Sequence, residues 1–288
     1  SEKFSLETDT VIYFLTVNTN SASNLRYIQN SNIIVGNTLP ASPYFMRKIE
    51  QQYRNIINKG YAAVIGEYVF SSSYDIGEGW SSVGVGPGSP LSKDFTGLNR
   101  YAAGPPNSVI FTVGASGYSL NARDLVCRFY NTPVLQTPMP FFEYVKDTVR
   151  NLPLSLLLNP TNLPVSVGTT SSNPNEGMVV SNFSVTYPAT FNFNNEKNFY
   201  FELEPSATGN YLKIANFNYN GQQPILYDYS NGKRYFGDIS ITDTVQFVLP
   251  ASSQLGRKFN LMSQASGNIS SISTLTSKTF IDYTTAAN

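Results

Sequence analysis

Apolar residues in this chain recur mostly with a period of two, in short runs broken by Gly, Pro, Asn and Ser. That alternation predicts strands half-buried against a core. Residues 10–17 (TVIYFLTV) are dense in β-branched and aromatic side chains and read as a strand buried on both faces. Residues 18–24 (NTNSASN) form a turn or loop, and residues 25–35 read as a strand pair around Gln29-Asn30-Ser31-Asn32. Further strands are expected at 61–70, 108–115, 124–130, 183–187, 199–203, 245–249 and 258–262. Residues 211–236 read as a meander: 211–219, Asn220-Gly221, 224–229, Asn231-Gly232, then 234–236. Asn-Gly between apolar runs is a strong hairpin signal, because both residues tolerate positive φ.

One segment suggests a helix. Ser42 suits an N-cap and Pro43 the first helical position. Phe45, Ile49, Tyr53, Ile56 and Ile57 follow at helical spacing, and Gly60 can close the element. A long strand is the rival, because Tyr44, Met46 and Lys48 also alternate. Residues 71–90 (SSSYDIGEGWSSVGVGPGSP) are rich in Gly and Ser and read as a long surface loop or a boundary. The expected architecture is mostly β: residues 1–92 as a smaller α+β segment with one helix, and 93–288 as a jelly-roll-like β-sandwich. No repeat of solenoid or propeller period is visible.

Composition narrows the chemistry. The 288 residues include no histidine and one cysteine, Cys127. A Ser-His-Asp or Cys-His catalytic group cannot be assembled from them, and neither can a Cys/His zinc site. Basic and acidic residues balance at 19 each, which argues against a nucleic-acid partner. No apolar run approaches the length of a membrane span. Ser1-Glu2-Lys3 leads straight into a polar segment, and both ends look like cuts through a fold. The chain is therefore expected to be a region of a longer protein. Few Lys and Glu beside abundant Asn, Ser, Thr and Tyr suggest an exported bacterial β-protein.

The candidate chemistry is sparse. Tyr74-Asp75-Ile76-Gly77-Glu78-Gly79-Trp80 is the most distinctive string. It reads either as a ligand loop, with Asp75 and Glu78 accepting and Trp80 stacking, or as a tight loop whose tryptophan plugs a core edge. Residues 83–88 (VGVGPG) lack the Lys-Ser/Thr of a phosphate loop and read as a flexible loop. Cys127 shares a strand face with Leu125 and Phe129 and points inward, away from Arg128. Asp75, Glu78, Asp124, Glu143 and Glu202 are available for a carboxylate hydrolase, with no sign that any two converge. Asp9-Thr10-Val11, Asp147-Thr148-Val149 and Asp243-Thr244-Val245 resemble O-glycan acceptor sites, and strand composition accounts for at least two of them. No cofactor or metal is implied.

Several strings occur in a suggestive order: Thr8-Asp9-Thr10-Val11, Tyr13-Phe14-Leu15-Thr16, Leu25-Arg26-Tyr27, Pro43-Tyr44-Phe45-Met46, Gly60-Tyr61-Ala62-Ala63-Val64 and Ser73-Tyr74-Asp75-Ile76-Gly77-Glu78-Gly79-Trp80. Tyr211-Leu212, Asn216-Phe217, Leu226-Tyr227-Asp228 and Asn231-Gly232-Lys233-Arg234-Tyr235 follow. Together they resemble the non-catalytic region preceding the peptidase domain in gingipain-type (family C25) cysteine peptidases, in particular the PorU-like sortases of the Bacteroidetes type IX secretion system. The resemblance implies an extracellular or outer-membrane-surface scaffold. Its implied partners are the downstream peptidase domain of the same chain, secreted cargo and secretion-system components. That family's Cys-His dyad has no counterpart here, so no catalytic residue carries over. Residues Tyr74, Asp75, Gly77, Glu78, Gly79 and Trp80 are expected to pack on a neighbouring domain. A carbohydrate-binding or adhesin-like sandwich, marked by a row of exposed Tyr or Trp on one sheet, is the alternative.

Overall fold

The structure, a computed structural model, describes residues 19–20, 26–60, 63–65, 67–69, 76–271, 274–277 and 279. The expected strand at 10–17 lies outside these residues. The described chain is mostly β, as its alternation predicts, and forms four principal sheets.

The first sandwich uses β2 (Phe45–Gln52) and β7 to β13. These are β7 (Leu91–Thr96), β8 (Val109–Gly117), β9 (Asp124–Phe129), β10 (Thr132–Pro138), β11 (Tyr144–Leu152), β12 (Asn162–Thr169) and β13 (Met178–Ala189). One sheet has the order β11-β8-β13-β2, the other β10-β9-β12-β7, and every pairing is antiparallel. Inner side chains meet across the gap. Phe111 of β8 lies edge-on to Phe129 of β9 at 5.5 Å, and Phe95 of β7 to Phe183 of β13 at 5.9 Å. Cys127 is fully buried on β9, as its alternation predicts.

The second sandwich uses β1 (Ile28–Asn30) and β14 to β20. These are β14 (Asn192–Glu196), β15 (Asn198–Leu203), β16 (Asn210–Phe217), β17 (Ile225–Asp228), β18 (Lys233–Phe236), β19 (Thr244–Leu249) and β20 (Arg257–Met262). A sheet of order β1-β18-β17-β20-β15 faces one of order β14-β16-β19. Phe193 of β14 stacks on Phe199 of β15 with centroids 3.8 Å apart. Phe45 of β2 joins the two cores, 5.0 Å from Phe191 and 5.7 Å from Phe201.

Two short ribbons complete the described strands. β3 (Ile56–Lys59) pairs with β6 (Glu78–Ser81), and β4 (Ala63–Ile65) with β5 (Glu67–Val69).

Four expectations are corrected. The helix over 42–60 is instead β2, a bend, and β3, with Gly60 at φ 74°. Spacings of four satisfy a strand as well as a helix, since four is even. Phe45 and Ile49 therefore share the inner face of β2, and Tyr53 just past its end packs against the same core, while Lys48 and Glu50 point out. The boundary at 92 is crossed by a sheet, because β2 pairs with β13 from Asn182↔Gln52 to Ala189↔Phe45. The changeover between sandwiches falls at Thr190 and Phe191 instead. Finally, Asn220-Gly221 adopts the expected positive φ (49° and 71°) but links β16 to β17, which lie in different sheets. The Asn231-Gly232 turn does close a hairpin, β17 with β18. Among the described residues of 25–35 there is one strand, β1, rather than a pair, and it joins β18 in parallel.

Candidate functional site

A groove of about 570 Å³ lies on the outer face of the β11-β8-β13-β2 sheet. Its floor follows from register. Glu50, Ser184, Thr112 and Thr148 stand opposite one another across the four strands. A second rung runs Gln52, Asn182, Gly114, Lys146, and a third begins Lys48, Thr186, Ile110. Residues directly opposite share a face, so the floor is a ladder of hydroxyls, amides and charges. The Thr112 and Thr148 hydroxyls lie 3.1 Å apart, and Lys48 Nζ is 3.3 Å from Glu50 Oε2.

The β3–β6 ribbon walls one end. It is tied to β13 where that strand bulges between Val180 and Asn182. Tyr53 N donates to Ser181 O (3.0 Å), Ser82 N to Val180 O (2.8 Å), and Val180 N to Ser82 Oγ (3.0 Å). Bulges re-aim a strand, and this one turns β13 toward the ribbon. Gly77 sits against Ser116 and Tyr144, where any Cβ would collide, and its φ of 83° also demands glycine. Gly114 leaves room for the Tyr144 phenol, with the Ser181 hydroxyl and Asn182 amide beside it.

Four of the singled-out residues therefore line one groove. Gly77 is at the turn, and Glu78, Gly79 and Trp80 are in β6. Tyr74 and Asp75 lie outside the described residues. Trp80 is half-buried at the rim rather than plugged into the core, with the Arg54 guanidinium 5.4 Å from its ring centroid. Sequence reasoning missed Lys48, Glu50, Gln52, Lys146 and Thr148. The signal was the even spacing of polar residues along β2 and β11, hidden in β2 by the helical reading.

The remaining candidates lie apart. Asp124 is on β9, where it accepts from Gln136 Nε2 at 2.7 Å, and Glu202 is on β15, accepting from the Tyr200 phenol at 2.6 Å. Among the described residues no three acidic or thiol groups are grouped to hold a metal. Burial pushes the Cys127 thiol far above its ordinary range, and Asp147 adds to the effect. Val85, in the glycine-rich stretch, is buried and exchanges backbone hydrogen bonds with Met178, so that loop is pinned. Thr148 of the second Asp-Thr-Val tripeptide is exposed on β11. Among the described residues no helix is long and apolar enough to cross a membrane.

A 570 Å³ groove is large enough for a small ligand, but such pockets are usually lined by apolar side chains. This one is open and mostly polar, with Trp80, Tyr144 and Ile110 as its main apolar groups. Trp, Tyr and Arg are the residue types that anchor protein interfaces, with polar surroundings excluding water less completely.

No protein-family model matches the chain, and no curated protein matches it by sequence. Among solved structures it is similar to dimeric latent PorU from Porphyromonas gingivalis, with a TM-score of 0.53 and 7% identity, over 84% of this chain and 22% of that one. Slighter likenesses are to a CBM36 carbohydrate-binding module in complex with calcium and xylotriose (TM-score 0.29, 13% identity, 48% of this chain and 98% of that one). Another is to the CBM36-1 domain of a multidomain xylanase from the hindgut metagenome of Trinervitermes trinervoides (TM-score 0.30, 12% identity, 48% and 96%). The chain thus spans about a fifth of the PorU chain, and over most of its own length it shares that chain's fold.

Proposed function

We propose that this chain is the non-catalytic scaffold region of an exported, cell-surface cysteine-peptidase-like protein of the gingipain type, serving type IX secretion and protein sorting. The observation that carries the reading is the shared fold over 84% of the chain with a region of PorU. The absence of histidine from the sequence supports it, since a Cys-His dyad would have to come from elsewhere in the protein. In this reading the groove receives a neighbouring domain of the same protein. Trp80, Arg54 and Tyr144 anchor it, and the hydroxyl ladder supplies a polar, hydrated contact.

The test is the reading frame that carries this chain. A domain downstream of Asn288 with a Cys-His pair supports the scaffold reading. A stop codon, or an unrelated domain, overturns it in favour of a free-standing carbohydrate-binding or adhesin-like module. In the full-length protein, Trp80→Ala is expected to increase protease cleavage between this region and its neighbour while the core still melts cooperatively. Unchanged cleavage would remove the groove from the interface.

A further inference from the structure

The second sandwich carries a feature that the groove leaves unexplained. On its five-stranded sheet, Tyr200, Asn260, Tyr227, Arg234 and Gln29 stand opposite one another in turn. Their neighbours Phe201, Phe259, Leu226 and Tyr235 are buried on the other face, so this row looks outward. At about 4.8 Å per strand it is roughly 19 Å long. Tyr27 packs edge-on to Tyr227 with centroids 5.0 Å apart and lies 6.0 Å from Tyr229. Tyr200, Tyr229 and Tyr27 are 51%, 44% and 37% exposed. Polar groups orient the rings: Asn260 Nδ2 donates to Tyr229 Oη at 3.1 Å, and Tyr200 Oη donates to Glu202 Oε1 at 2.6 Å. Desolvation and the Glu202 carboxylate both raise the Tyr200 pKa.

We propose that this face binds an extended polysaccharide chain. Sugar rings present flat C–H surfaces edged by hydroxyls. The row offers the complement: aromatic rings alternating with Asn260 and Arg234, and flanked by Glu202 and Lys258. The core of a protein interface would be depleted of charges such as Glu202 and Lys258. Single-stranded nucleic acid also stacks on rings, but it requires a basic groove, and this chain has no net charge. The length of the row suits several sugar units rather than one. The proposal concerns a different face from the groove and stands whether or not the scaffold reading holds.

The purified chain is applied to a glycan array, and binding to the polysaccharide of the strongest spot is then measured by affinity gel electrophoresis. Wild-type protein is expected to bind an oligosaccharide of several units and to be retarded in the gel. Tyr200→Ala and Tyr229→Ala, each at an exposed site, should weaken retardation by about tenfold with unchanged melting temperature, while Trp80→Ala should bind as wild type. Silence across the array, equal binding by the tyrosine variants, or loss of binding in Trp80→Ala overturns the proposal.

Discussion

Two buried ion pairs show how single residues fix loops in this protein. Arg123 Nε lies 3.0 Å from Glu176 Oε1, with both side chains fully buried. The Arg123 guanidinium also donates to the carbonyls of Met139, Phe141, Ser119 and Asn121 at 2.7–3.3 Å. It ties the 119–123 loop to the 139–141 loop and to the turn before β13. Arg123→Met would leave a buried carboxylate without its partner, and is expected to cost ~3–5 kcal/mol in urea denaturation. Adding Glu176→Gln should recover part of that loss. Asp228 and Arg257 form the equivalent pair in the second sandwich, at 2.7 Å. Tyrosines set an alkaline limit. Burial pushes the phenols of Tyr53 and Tyr187 up to about 12 from an ordinary 10.0. The unfolded chain loses these protons near pH 10 while the folded chain keeps them, so ionisation favours unfolding. Stability contributed by these residues should be intact below pH 10 and fall between pH 10 and about 12. Tyr187→Phe should flatten that fall when urea midpoints are compared across this range.

Elements follow the period-two pattern wherever side chains alternate cleanly. The strands around 109–117, 124–129, 198–203, 244–249 and 257–262 were legible because each alternates and ends at turn residues. β2 was ambiguous, because Phe45, Ile49 and Tyr53 fit both periods. Its partner β13, more than a hundred residues away in the chain, decides in favour of strand. The same distance effect misassigned Asn220-Gly221: the turn chemistry is local and correct, but which sheet receives the next strand is not local. Glycine positions separate the two kinds of information. In β8, a Cβ on Gly117 would run into the Phe141 carbonyl and the Arg123 guanidinium, neither of which can yield easily. Gly232 has φ 61° and open space around it. Gly232→Ala is expected to cost ~1–2 kcal/mol, from backbone strain alone. Gly117→Ala should cost more, ~3 kcal/mol, and thermal denaturation of the pair tests that order.

At the scale of the whole molecule, Phe45 is where the two sandwiches become one core. It belongs to β2 of the first and packs on Phe191, Phe193, Phe199 and Phe201 around the second. The wild-type chain is expected to melt in one transition. Phe45→Ala should lower stability by ~3–5 kcal/mol and split calorimetric melting into two transitions, and a single unsplit peak would count against this coupling. The candidate site shows the same division of information. Trp80 and its flanking glycines stood out in the sequence by composition. The floor beneath them, from Glu50 through Ser184 and Thr112 to Thr148, draws on four strands scattered between Phe45 and Ala189, and no local pattern joins them. By itself the sequence determined the strand-rich class, the inward face of Cys127, the Asn231-Gly232 hairpin and the want of histidine chemistry, because these depend on residue type and on neighbours within a few positions. Only the tertiary structure decided that residue 92 is no boundary, that polar side chains of β2, β8, β11 and β13 form one groove, and that Tyr200, Tyr227 and Tyr229 share an exposed face. Strand pairing is non-local, and a side chain's surroundings are set by whichever strand lies alongside.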